Sequence, residues 1–238
     1  MSVIGKRQER TRLQNSMLKL ISLADMITLT NAMFGFLALL LVLTGSLHLA
    51  AIFIFLGLLA DGLDGYVARY LNTGRIGEYF ESLADMLSLS VAPLLLLYAT
   101  YKDILSKGGW QVPVILVILV LSLICTLIRL SSFSSLKNPQ FFLGLPTSVS
   151  ALFLVVFSEL KPDLLVVAPV VMVLAFAMVS PVRFPKPGLR LNVTTAVLII
   201  LVILLSGMFS NIIVYILLVA LVLYVIIGPL YLWMQKRP

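Results

Sequence analysis

The chain has 238 residues, 61% of them hydrophobic and only 11% charged, with a formal net charge of +7. That composition excludes a soluble globular domain, and the long unbroken apolar runs exclude a membrane barrel, whose strands alternate apolar with polar residues. A single cysteine, Cys125, in the middle of an apolar run, excludes an intrachain disulfide and a thiolate metal centre and reads as a small buried hydrophobe. The N-terminus opens on "GKRQERTRLQ" (5–14), and the apolar run after it continues at full span length without a cleavage site, so it is not a cleavable signal peptide. Segment 5–23 mixes Lys and Arg with Leu, Met and Ile. It reads as a short basic helix on an anionic membrane surface or as a partly ordered tail. The positive charge is assigned to that surface, and no nucleic-acid partner is expected.

From there the predicted class is all-α, a polytopic helical membrane protein, because backbone in lipid must satisfy its own hydrogen bonds. Eight spans are predicted: 26–44, 49–70, 80–100, 111–133, 143–160, 164–182, 191–206 and 210–234. The fifth and seventh are the shortest. Breakers and polar clusters mark the joints, among them "TGSLH" (44–48), "YKDILSKGG" (101–109), "ELKPD" (159–163) and "RFPKPGLR" (183–190). Eight spans put both termini on one side. Fourteen of the 17 Lys and Arg residues then share that side, and only Lys102, Lys107 and Lys161 face the other. The positive-inside rule places both termini, and the loop at 70–79, in the cytoplasm of a cell-membrane protein. His48 then falls on the outer side, as a plain loop residue.

The exception to the apolar pattern is "LLADGLDGYVARYLNTGRIGEYFESLADMLSLSVAP" (58–93). Asp61 and Asp64 are three apart and Glu81 and Asp85 four apart, so each pair shares a helix face. A short joint makes the two helices antiparallel neighbours, and four carboxylates converge at one interface. Their repulsion and desolvation allow two outcomes. The acids are partly protonated, as in a cation or proton pathway, or they hold divalent cations, for which hard oxygen ligands suit Mg²⁺ or Mn²⁺. Gly65 and Ala68 leave the helix bare one turn beyond Asp61 and Asp64, and Arg69 suits a phosphate partner. The same small residues also serve tight helix packing, and the arginine also serves as an interfacial charge.

The stretch resembles the signature of the CDP-alcohol phosphotransferase family, D-x2-D-G-x2-A-R-x8-G-x3-D-x3-D. Here it reads Asp61-x2-Asp64-Gly65-x2-Ala68-Arg69, then Gly77-x3-Glu81-x3-Asp85. Two departures stand out. The gap before the glycine is seven residues, and Glu81 occupies the usual position of the third aspartate. The resemblance implies transfer of a phosphatidyl-type group from a CDP-linked lipid to an alcohol, with release of CMP. It implies Asp61, Asp64, Glu81 and Asp85 as ligands for Mg²⁺ or Mn²⁺, two ions being usual, with Asp85 as the alternative general base. Asp61, Gly65, Ala68, Arg69, Gly77 and Thr28 would then line the nucleotide and diphosphate site.

Further segments resemble the phosphatidylserine and archaetidylserine synthase branch: "ADMITLTNAMFGFLALLL" (24–41), "SLADMLSLSVAP" (82–93), "IRLSSF" with "FFLGLPTSVSA" (128–151), and "MVSPVRFPKP" (178–187). That branch implies L-serine as acceptor. Asn31, Arg129 and Arg183 become acceptor-binding candidates, although Asn31 and Thr28 equally suit a bond to a neighbouring helix. The implied organisation is a basic segment over 1–23, a six-helix catalytic membrane domain over 24–190, and two additional spans over 191–238. Family members often form homodimers. A glycerol phosphate or inositol phosphate acceptor, or a cation or proton transporter, are the competing readings.

Overall fold

The computed structural model describes residues 22–67, 77–132, 141–205 and 211–234; the side chains at 23–24, 64–67 and 190 lie outside that description. In chain order the helices are α1 (Leu23–Leu43), α2 (Leu47–Val67), α3 (Gly77–Asp85), a π-helical segment (Met86–Val91), α4 (Ala92–Thr100) and the short α5 (Lys102–Ser106). They continue with α6 (Gln111–Ser132), α7 (Thr147–Leu160), α8 (Leu164–Val179), α9 (Leu189–Leu205) and α10 (Ile212–Met234). Every predicted span thus appears as a helix. Among the described residues four helical stretches are long and apolar enough to cross a membrane, at Asp25–Leu43, Gly77–Thr100, Gln111–Ser132 and Ile212–Met234. Four shorter apolar helices complete a multi-pass membrane protein. Exposed Trp110 at one end, and exposed Tyr231 and Trp233 at the other, suit the two interfaces. The basic segment predicted before residue 22 lies outside the described residues.

Local chemistry sets the ends. Ser22 and Asp25 close a capping box at the start of α1: the serine hydroxyl accepts from the Asp25 amide, and the Asp25 carboxylate accepts from the Ser22 amide at 2.7 Å. The far end of α1 closes on Gly45 at φ +80°, with the Gly45 amide donating to Val42 and the Ser46 amide to Leu41. The helix from Gly77 to Thr100, which covers the span predicted over 80–100, is continuous but not regular. Pro93 has no N–H to give Leu89, and its ring crowds that carbonyl. The helix widens immediately before it, with the Ala92 amide reaching back five residues to Leu87.

The fifth predicted span is the innermost. Helix α7 has 14 residues, about 21 Å of rise. Everything from Ser150 to Ser158 is buried, so protein rather than lipid surrounds it. Helices α2, α4, α6, α8 and α10 and the π segment all pack on it. What precedes it is extended. Phe141–Leu143 (β1) pairs antiparallel with Arg183–Pro185 (β2), in the register Phe141 to Pro185, Phe142 to Phe184 and Leu143 to Arg183. Neither strand was predicted. Gly144, at φ +75°, turns the chain from β1 into α7, where a Cβ would run into the Met178 carbonyl. Helix α10 closes over β2: the Tyr224 hydroxyl donates to the Pro185 carbonyl at 3.0 Å, Phe184 stacks on Tyr224, and Gly228 leaves room for the Pro185 ring.

The opposite end is tied by two contacts. His48 is in the first turn of α2, not in a loop, and its Nδ1 lies 3.1 Å from the Glu159 carboxylate at the end of α7. The Tyr101 hydroxyl donates to the Pro162 carbonyl at 2.6 Å. Burial, with Asp163 nearby, pushes that phenol up to about 12.

Candidate active site

Helix α1 buries one stripe, Asp25, Thr28, Asn31, Gly35, Ala38 and Val42, at the three- and four-residue steps of a helix face. The stripe is polar where the helix begins and apolar further in. Helix α1 packs against α2, α3, the π segment and α4, so this stripe faces the two helices that carry the acids. Among the described residues, α3 leans on α1, while α2 meets the same long helix further along, at the π segment and α4. The predicted antiparallel neighbours therefore meet, with α1 set against both.

The three helices cross at one point. Asn31, fully buried, donates from Nδ2 to Asp85 Oδ1 at 3.1 Å, and Asp85 is itself only 7% exposed. One turn further in, a Cβ on Gly35 would stand 2.6 Å from the Ser88 Cα, so α1 touches the π segment backbone to backbone. On α2 a Cβ at Gly57 would stand 3.1 Å from Asn31 Oδ1 and 3.4 Å from the Ser88 Cβ. The Ser88 hydroxyl donates to the Ala84 carbonyl at 2.9 Å and stays within its own helix. Asp61 follows Gly57 by one turn of α2 and is half-buried; Glu81 precedes Asp85 by one turn of α3 and is half-buried too.

The remaining predicted residues divide as follows. Thr28 is buried on the α1 stripe, and Gly77 opens α3. Asp64 and Gly65 fall in the last turn of α2, with side chains outside the described residues, and Ala68 and Arg69 lie outside them altogether. Among the described residues no three of the His, Cys, Asp and Glu side chains converge as a metal-binding group. The donor chemistry nevertheless fits a hard divalent cation. Asp61, Glu81 and Asp85 offer oxygen only, while His48 is at the far end of the molecule and Cys125 is a buried residue of α6.

The acceptor-binding candidates form two groups. Asn31 belongs to the Asp85 junction. Arg129 and Arg183 belong to the ribbon: Arg129 Nε donates to the Leu145 carbonyl at 3.1 Å, and the Arg183 guanidinium lies 4.6 Å over the Phe141 ring. Both cations thus surround the turn from β1 into α7. Asp25, Gly57 and Ser88 were not singled out from the sequence, and Gly35 stood out only within the segment 24–41 that carries the resemblance. The Ser22-x-x-Asp25 capping box and the steps of three and four through Asp25, Thr28, Asn31 and Gly35 were the available signals.

A family model described as CDP-alcohol phosphatidyltransferase matches residues 21–181, from just before the capping box to the end of α8. The chain belongs to the CDP-alcohol phosphatidyltransferase family. Among relatives, it is 32% identical to the CDP-diacylglycerol–serine O-phosphatidyltransferase of Methanocaldococcus jannaschii over 174 residues, 72% of this chain and 77% of the relative. It is 34% identical to the archaetidylserine synthase of Methanothermobacter thermautotrophicus over 178 residues, 70% of each. The CDP-diacylglycerol–serine O-phosphatidyltransferase of Bacillus subtilis matches at 34% over 165 residues, 67% of this chain and 88% of that one. In this member of the family the signature acids stand on α2 and α3, and the Asn31–Asp85 junction ties α1 to the second of them.

Proposed function

We propose that this chain is a phosphatidyltransferase that moves a diacylglycerol or archaeol phosphate from its CDP-linked carrier to the hydroxyl of L-serine and releases CMP. The observation that carries this reading is a carboxylate, Asp85, buried in a membrane helix at the α1 junction, within the family's own acid spacing. A buried acid in a span is costly and marks a site. Relatives named as serine transferases in both archaea and bacteria favour serine as the acceptor.

In this reading the serine hydroxyl attacks the phosphorus that bears the lipid. The bond from that phosphorus to the CMP oxygen breaks, and CMP leaves with the electron pair. Asp85 takes the hydroxyl proton, because a serine hydroxyl is a weak nucleophile at neutral pH without a positioned base. Asp61, Asp64 and Glu81 are the residues that would hold Mg²⁺ or Mn²⁺, and Asp85 would join them only in the alternative in which it is not the base. When bound, such ions neutralise the diphosphate and ease departure of CMP. Gly65, Ala68, Arg69, Gly77 and Thr28 are assigned to the nucleotide and diphosphate. Arg129 and Arg183, beside the ribbon, are assigned to the serine carboxylate, which needs a cation.

The eight apolar helices would each cross or dip into the bilayer, with 24–190 as the catalytic membrane domain and 191–238 as two further spans. The excess of Lys and Arg on the terminal side favours a cytoplasmic active site and cytoplasmic termini. The test is CMP release by the purified protein in detergent, with CDP-diacylglycerol or CDP-archaeol, with and without Mn²⁺ or Mg²⁺. Serine should support metal-dependent release, and glycerol phosphate and inositol phosphate should not. Release with a phosphorylated alcohol alone would reassign the acceptor, and no release with any of them would overturn the reading.

A further inference from the structure

We infer that Asn31 is a positioning residue for Asp85, and that Gly57 and Gly35 are glycines so that Asn31 stays where it holds that carboxylate. The inference rests on the reading of Asp85 as the proton acceptor. Its basis is the asymmetry of the Asn31 amide. The side chain is fully buried, and its Nδ2 gives its hydrogen bond to Asp85 Oδ1 across 54 residues of sequence. Its Oδ1, buried as well, has no hydrogen-bond partner among the described residues. A buried amide with one end unsatisfied carries a cost, and the single bond it does make is to the Asp85 carboxylate. It is retained where its one bond orients something.

The surroundings show how the orientation is held. Gly57 presents bare backbone to Asn31 Oδ1, and any side chain there would press on the amide at 3.1 Å. Gly35, one turn along α1 from Asn31, lets the π segment approach so closely that Asn31 reaches Asp85, which sits at the junction of α3 with that segment. The bond fixes one oxygen of Asp85, and with it the orientation of the carboxylate that takes the proton of the reacting hydroxyl.

Three variants test this: Asn31→Leu, Gly57→Ala, and Gly57→Ala in an Asn31→Ala background. Each is measured for kcat, for KM toward both substrates, and for melting without added metal. Asn31→Leu is expected to lower kcat about 10–100-fold, the usual cost of losing an orienting bond. KM for the CDP-lipid should stay within about threefold, because ground-state binding is not its task. Its melting temperature should fall only modestly, because Asp85 loses a buried donor while the orphan oxygen leaves with the amide. Gly57→Ala alone should lower kcat in the same direction, and in the Asn31→Ala background it should cost nothing more, because the two act through one contact. Full kcat in Asn31→Leu beside an inactive Asp85→Asn would overturn this inference and leave the parent reading intact. Full activity in Asp85→Asn would remove both. Parallel falls in melting temperature, kcat and affinity would make Asn31 a packing residue and likewise overturn the inference. A Gly57→Ala loss of equal size in both backgrounds would remove Gly57 from it.

Discussion

Replacing Gly35 by alanine tests the helix crossing from its other side. An added Cβ would stand 2.6 Å from the Ser88 Cα and 2.8 Å from its N and Cβ, all fixed within the π segment. Carbon atoms rest about 3.5–4.0 Å apart, so α1 and the π segment must part by about 1 Å. Overpacking of this kind costs roughly 1–3 kcal/mol. The alanine returns about 1 kcal/mol of helix propensity. The net loss is therefore about 0–2 kcal/mol, and the protein should fold with a melting temperature lowered by no more than about 8 °C. The effect on turnover should be larger. Asn31 is one turn away, and its 3.1 Å bond to Asp85 does not survive a further 1 Å of separation. CMP release should fall about 10–100-fold, as for other lost orienting bonds. The assay pairs a thermal melt in detergent with CMP release, using Gly188→Ala as a reference, since nothing lies within 4 Å of a Cβ at that position. Wild-type turnover with an unchanged melt would show that the helices part freely, and the account of the junction would be wrong.

Three other outcomes are expected. Asp85→Asn should retain CDP-lipid binding while kcat drops about 10²–10⁴-fold, the range for a lost general base; equal losses of affinity and rate would make it mainly a metal ligand. Gly144→Ala should be among the most destabilising single changes. It places a Cβ at φ +75° and against the Met178 carbonyl, which should lower both expression and melting temperature and free Arg129 from the Leu145 carbonyl. Tyr101→Phe removes the 2.6 Å bond to Pro162 and should cost about 1 kcal/mol. The Tyr101 phenol is raised to about 12 in the folded state, so its contribution is complete below pH 10 and disappears as pH rises through 12. The stability gap between Tyr101→Phe and wild type should therefore close only in that window, read from melts at stepped alkaline pH.

The helices were legible because lipid leaves the backbone few alternatives, and apolar runs between polar joints announce them. Asp61 and Asp85 were legible as candidates because acids in apolar segments have no cheap explanation. What escaped was set by contacts distant in sequence. The β1–β2 ribbon unites two triplets forty residues apart, too short for any period to show. The π segment is a one-residue change of register, announced only by Pro93. Gly35 and Gly57 look like ordinary small residues of a membrane helix until Ser88 and Asn31 are placed against them. The His48–Glu159 contact spans 111 residues, so His48 read as a plain loop position.

The wrapping of α7 bears on biogenesis. As the ribosome delivers the chain, α7 emerges with a largely apolar surface before most of its neighbours are in place. Its final neighbours include α10, which is synthesised well after it and also clamps β2 through Tyr224 and Gly228. The family match ends at residue 181, before either of the last two helices begins. Yet the seat of α7, and the ribbon that leads into it, is complete only when those helices have entered the bilayer. A nascent chain halted after α8 would carry every signature acid and still lack the wall that holds its central helix in place.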